Sequence, residues 1–215
     1  MIQQQTTTHP KSVKRSNKKL WPIYSNLAEQ VFKSLDGESN SVVVGCAGFA
    51  KGEGATTVST NLAIAFSMIF EHDVLLINAT ERPMGIGSLL GGDPKTGIEQ
   101  VINEEVEISD AIVSTTFERL HFLNNGLKTR APFSPHLLAK FPELLETLRA
   151  KYKVIVVDLP QLNQPSSSGP LTSRVDGMLV VLQPGKVKSD TAKRIKQQLD
   201  RNNVKLLGAV MNRCD

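Results

Sequence analysis

The chain has 215 residues, of which 40% are hydrophobic and only 5% aromatic, so Val, Leu, Ile and Ala must build its core. Its formal charge is +4, but Lys11, Lys14, Arg15, Lys18 and Lys19 put five positives and no acid into residues 1–20, leaving residues 21–215 at −1 (four minus five); a near-neutral folded part argues against a charge-driven nucleic-acid-binding domain. No apolar run approaches the roughly 18 residues of a spanning helix, the start MIQQQTTTHPKSVKRSNKK has no apolar stretch of a secretory signal, and Cys46 and Cys214 are too far apart to suggest a metal site or a disulfide framework.

In chain order, residues 1–20 read as a disordered basic leader, residues 21–40 as an N-terminal helix and residues 41–215 as one α/β domain. Leu27, Val31 and Leu35 recur at helical spacing within residues 22–36, and Gly37-Glu38-Ser39-Asn40 ends that helix. Strand and helix signals then alternate. Ser41–Cys46 is an apolar strand, Thr56–Phe70 a helix and Val74–Ile77 a strand. Residues 96–114 are helical in part, and Leu120–Leu123 is a short strand. Pro135–Tyr152 reads as an amphipathic helix, Val154–Val157 as a strand with Asp158 at its end, and Ser166-Ser167-Ser168 as part of a Pro/Ser-rich loop. Gly177–Gln183, Ser189–Asn202 and Val204–Met211 complete the series as strand, helix and strand. This alternation predicts a doubly wound, mainly parallel sheet with its ligand site at the carboxyl ends of the strands.

The informative segment is GFAKGEGATT, Gly48–Thr57, between a strand and a helix. Glycines there let successive backbone N–H groups point inward, and the helix start adds partial positive charge, as a phosphate-binding loop requires. Thr56 stands where a hydroxyl would hold Mg²⁺ in the pattern G-x-x-x-x-G-K-[ST]. Phe49 replaces the first glycine of that pattern and Ala55 replaces its lysine. Lys51 is a candidate substitute for that lysine, set against the plainer reading of a solvent-facing residue at the loop entrance. Elsewhere, His9, His72, His121 and His136 lack metal-ligand spacing, and no Gly-x-Ser-x-Gly elbow occurs.

Five stretches in order carry a resemblance. Residues 52–63 look like GEGKST-x-x-x-NLA, VLLINATERP (74–83) is similar to VLLIDADLRRP, and KYKVIVVDLP (151–160) is similar to YDYVIIDTPP. DGMLVVLQ (176–183) and LGAVMNRCD (207–215) are similar to DGVLLVV and LGVVLNRVD. From about residue 25 onward the chain resembles the cytoplasmic domain of bacterial tyrosine kinases of capsule and exopolysaccharide synthesis, relatives of the Min-type and Par-type ATPases. The resemblance implies a P-loop NTPase-like fold, with Gly52, Glu53, Gly54, Ala55, Thr56, Thr57 and Asn212 around an ATP or ADP. It places Thr56 and Asp158 at Mg²⁺, with Asp158 and Lys51 as candidate catalytic groups.

The departures fall where the chemistry would be. Two motif aspartates are replaced by Asn78 and Thr80. The only tyrosines are Tyr24 and Tyr152, so a tyrosine-rich phosphorylated tail is missing, and the helix NLAEQVFKSL lacks the arginines of an E-x-x-R-x-x-R ring-forming motif. The expectation is a degenerate subunit, cytoplasmic at the inner face of the plasma membrane, that regulates a membrane polysaccharide co-polymerase and makes only indirect membrane contact. Self-association is open. An active ATP-dependent autokinase, and a Par- or Min-type positioning ATPase, are the alternatives.

Overall fold

The computed structural model describes residues 11–35, 40–82, 90, 96–163, 165–185 and 189–213. The basic helix α1, Lys11–Ser34, precedes β1 (Val42–Gly48), α2 (Ala55–Ile69) and β2 (Val74–Asn78). Two short helices follow, α3 (Ile98–Ile102) and α4 (Ile108–Ala111), then β3 (Ile112–Ser114) and β4 (Leu120–Leu123). The chain closes with α5 (Pro135–Arg149), β5 (Val154–Asp158), α6 (Pro165–Thr172), β6 (Gly177–Leu182), α7 (Ser189–Arg201) and β7 (Leu206–Met211).

The seven strands are ordered β3-β4-β2-β5-β1-β6-β7. All pairings are parallel except β3 against β4. Every residue of β1, β2 and β5 is buried, because alternate side chains serve two different cores. Val42, Val44, Leu76 and Val156 face Leu62 and Phe66 of α2 and Ala28 and Val31 of α1. Val43, Leu75, Ile77 and Val157 face Phe141, Leu145 and Leu148 of α5. Phe32 of α1 stacks against Phe70 with ring centroids 4.4 Å apart and reaches Phe66 at 6.5 Å, so α1 docks on α2 through an aromatic cluster. At the other face, Arg149 closes α5 onto the sheet. Its two terminal nitrogens donate to the Asp176 carboxylate at 2.8 Å each, while Asp176 Oδ2 also accepts the Val43 amide at 2.7 Å.

The structure corrects several expectations. Helix α1 begins at Lys11, so residues 11–20 extend it where a disordered leader was expected. Lys and Arg are good helix formers once a downstream amphipathic segment is anchored. Residues 1–10 and, of the expected break at 37–40, residues 37–39 lie outside the described residues, as does Cys214. The Pro/Ser-rich segment forms helix α6 rather than a loop, with Pro165 at its first position, where the missing N–H costs nothing. Ile112–Ser114, expected to be partly helical, forms an antiparallel edge strand.

Candidate functional site

Strand register concentrates the chemistry at one point. Cys46 of β1 and Asn78 of β2 both pair with Asp158 of β5, so Asp158 ends the central strand between two neighbours. Beyond β1 the chain turns through Gly52 and Gly54, both at φ +89°, a left-handed conformation that an L side chain resists. Gly54 caps α2 without a side-chain hydrogen bond, and the first turn of α2 contains no acid. Its free amides and the positive end of a 15-residue helix therefore remain available to an anion.

A cavity of about 230 Å³ opens at this point. Of the residues expected at the site, Gly52, Glu53, Gly54, Ala55, Thr56, Thr57 and Asp158 all line it. Lys51 does not; it is exposed at the loop entrance, and the substitute role given to it has no geometric support. Asn212 does not line the cavity either. Its Nδ2 donates to the Glu53 carbonyl at 2.8 Å, which ties the phosphate loop to the end of β7. Glu53 is buried with its Oε2 accepting the Ala50 amide at 2.8 Å, so its carboxylate braces the loop from inside.

Asp158 is 1% exposed, and burial pushes its carboxyl up to about 7 against the opposing pull of the Thr56 and Ser59 hydroxyls and the Arg82 guanidinium. Thr56 Oγ1 donates to Asp158 Oδ2 at 2.6 Å. Asp158 Oδ1 is buried with no hydrogen-bond partner. An orphaned carboxylate oxygen beside a hydroxyl, both facing an amide-rich loop, fits Mg²⁺, which takes one or two carboxylates and fills its shell with water and phosphate oxygens. Cys46 is fully buried beside it, and its thiol is pushed far up by that burial and by the Asp158 charge, so it is inert.

The two positions that lack aspartate form a neutral network. Asn78 Nδ2 donates to Asn124 Oδ1 at 2.9 Å, and Asn78 Oδ1 accepts the Thr80 amide at 3.1 Å and the Thr80 hydroxyl at 2.8 Å. Asn125, fully buried, donates to the Thr80 and Arg82 carbonyls at 2.7 and 2.6 Å.

Three cations that motif matching passed over also line the cavity: Arg82, Arg130 and Arg213. None forms an ion pair among the described residues. Arg82 and Arg213 sit inside stretches whose resemblance was already visible, so the signal was present. Arg130 lies in a loop without a motif, and only the folded chain brings it here. Arg213 holds φ at +58°, an uncommon conformation for a non-glycine residue that here sets its backbone at the cavity rim. The two tyrosines offer little as phosphoryl acceptors: Tyr152 is buried, and burial raises the pKa of both phenols.

No protein-family model matches the chain. Its curated relatives are bacterial tyrosine-protein kinases. Tyrosine-protein kinase CpsD of Streptococcus pneumoniae serotype 4 is 25% identical over 164 residues, covering 76% of this chain and 72% of that protein. Tyrosine-protein kinase YwqD of Bacillus subtilis is 28% identical over 210 residues, covering 95% and 83%. Among solved structures, the kinase domain of the Escherichia coli tyrosine kinase ETK superposes with a TM-score of 0.83 at 20% identity, covering 99% of this chain and 85% of that one. The septum site-determining protein MinD of Pyrococcus horikoshii, complexed with Mg-ADP, gives 0.67 at 21% identity, with 80% and 70% coverage. The fold is therefore that of P-loop tyrosine-kinase domains and MinD-type ATPases. Among the described residues no helix is long and apolar enough to cross a membrane.

Proposed function

We propose that this chain is a tyrosine-kinase-like P-loop subunit of capsule or exopolysaccharide assembly that binds ATP or ADP with Mg²⁺ but is a poor phosphoryl-transfer catalyst. It acts by docking on the cytoplasmic part of a membrane polysaccharide co-polymerase. The observation that carries the reading is an intact phosphate cradle, with Thr56 bonded to Asp158, in which Ala55, Asn78 and Thr80 are neutral.

The reasoning is electrostatic. In a phosphoryl-transfer site the loop lysine bridges the outer phosphates and meets the charge that develops as the bond breaks. Removing one preorganised group of that kind costs about 10²–10³ in rate, roughly 3–4 kcal/mol. Ala55 ends at its Cβ and cannot supply it. Arg82, Arg130 and Arg213 give the cavity positive charge for ground-state binding of a polyphosphate, at distances set by flexible, exposed side chains. Such groups raise affinity without being held where transition-state charge appears. Within this arrangement the α2 amides bind phosphate, Asp158 and Thr56 would hold Mg²⁺, and Asn212 and Glu53 keep the loop open. Bound Mg²⁺ would neutralise phosphate charge. Relatives that carry the kinase name, and a structural neighbour complexed with Mg-ADP, support this reading.

Regulation of a partner is tested by co-purifying the chain with the cytoplasmic segment of the polysaccharide co-polymerase encoded in its gene neighbourhood, with and without MgATP. A complex whose stability changes with nucleotide is the expected result. No complex under either condition contradicts the docking role. A second reading, an active autokinase in which the arginines replace the lysine, draws on the same three unpaired cations. It requires turnover that depends on Asp158.

A further inference from the structure

The positions that lost aspartate are both occupied internally, since the Thr80 hydroxyl is spent on Asn78 Oδ1 and the Asn78 amide on Asn124. Glu81 is the next residue. It lines the same cavity as Asp158, and its Oε1 is buried without a hydrogen-bond partner. Asp158 Oδ1 is in the same state in a side chain that is 1% exposed. Two carboxylates that line one cavity thus each hold a buried oxygen without a partner, an arrangement that costs desolvation free energy.

The neighbouring arginines relieve it only in part: Arg82 pulls on Asp158 from a distance, and among the described residues neither carboxylate is ion-paired to Arg82, Arg130 or Arg213. A hard divalent cation seated in the cavity would satisfy both oxygens and could take the Thr56 hydroxyl as a third oxygen donor. The chain also holds Glu81 in place. Asn125 Nδ2 grips the carbonyls of Thr80 and Arg82, the residues on either side of it, while Asn78 Oδ1 holds the Thr80 amide. Such outer contacts are what orient a metal ligand.

We propose that Glu81 supplies the acidic ligand absent at positions 78 and 80, so that Asp158, Glu81 and Thr56 form a divalent-cation site, with Asn125 as its positioning residue. The proposal rests on the nucleotide-site reading only for the cation's remaining ligands, the phosphate oxygens. Glu81 lies one residue beyond the second of the two motif positions and, like Thr80, lines the cavity.

The test is Mn²⁺ binding, read by electron paramagnetic resonance on the full chain, alone and with ADP, for the unaltered protein, Glu81→Gln and Glu81→Asp. ADP binding in EDTA is measured alongside. The expected result is one tight Mn²⁺ site, weakened about tenfold or more by Glu81→Gln and partly restored by Glu81→Asp, with ADP binding in EDTA no weaker. Thermal melts in EDTA should show Glu81→Gln as stable as the unaltered chain. Equal Mn²⁺ affinity in the unaltered and Gln proteins overturns the proposal, and so does the absence of any Mn²⁺ site. Mn²⁺ binding that depends on Glu81 in a chain that ignores ADP supports this site while refuting the nucleotide reading.

Discussion

Asp158 offers a prediction whose magnitude and sign both come from its position. Its carboxyl is buried at the end of the central strand, and that burial pushes it up to about 7, against 3.8 for an ordinary aspartate. A difference of about 3 units corresponds to about 4 kcal/mol at about 1.4 kcal/mol per unit. The folded-state value is raised, so the folded protein holds a proton that the unfolded chain gives up. Below about pH 4 both states are protonated and Asp158 carries no ionisation penalty. Between about pH 4 and pH 7 the metal-free protein loses stability as pH rises, and above 7 the loss is complete. Asp158→Asn keeps an acceptor for the Thr56 hydroxyl and removes the titration. Urea unfolding in EDTA at several pH values between 4.5 and 8 should show the Asn variant gaining on the unaltered chain as pH rises, by up to about 4 kcal/mol. Adding Mg²⁺ should narrow the gap by favouring the ionised carboxylate. A difference between the two proteins that does not change with pH would refute the burial argument.

The cavity makes further commitments. Arg82→Gln together with Arg130→Gln should weaken ATP binding about tenfold or more in calorimetry, since a charge-assisted contact contributes about 1.5–3 kcal/mol. Lys51→Ala should leave that affinity within about twofold, because Lys51 is exposed and does not line the cavity, and a large loss would restore it as the phosphate-binding cation. Gly54→Ala forces a left-handed φ of +89° on an alanine whose Cβ would collide with the Asn212 amide. Chemical denaturation should show a loss of about 1–3 kcal/mol, with ATP affinity falling as the loop shifts. Arg149→Met removes a two-pronged contact to Asp176 and leaves that carboxylate with the Val43 amide alone, a cost of about 1–3 kcal/mol in the same assay.

The parallel sheet was legible because its central strands are buried on both faces, and continuous apolar runs such as Ser41–Cys46 and Val154–Val157 have few other readings. The phosphate loop was legible from glycine placement and the strand-to-helix context. Edge elements were not. Ile112–Ser114 is only three residues long and half-exposed, so it carries little apolar pattern. The start of α1 was obscured by a basic, polar composition, and α6 by its prolines and serines. At the site, composition announced what Ala55, Asn78 and Thr80 lack. It could not announce what replaces them: Arg130 arrives from a loop distant in sequence, and Asn125 reaches back about 45 residues to fix Thr80 and Arg82. The motif put Asn212 beside the nucleotide, and the fold adds that its Nδ2 donates to the Glu53 carbonyl of the loop. Motifs report which groups are present, and long-range hydrogen bonds decide which of them stay free.

Turnover of labelled ATP in the presence of Mg²⁺ bears on the central claim most directly, measured for the unaltered chain beside Asp158→Ala. The account predicts that the unaltered chain, although it binds nucleotide, transfers and hydrolyses phosphate little faster than the variant. Robust phosphorylation or hydrolysis that Asp158→Ala abolishes would show that the neutral residues at 55, 78 and 80 have not disabled the site.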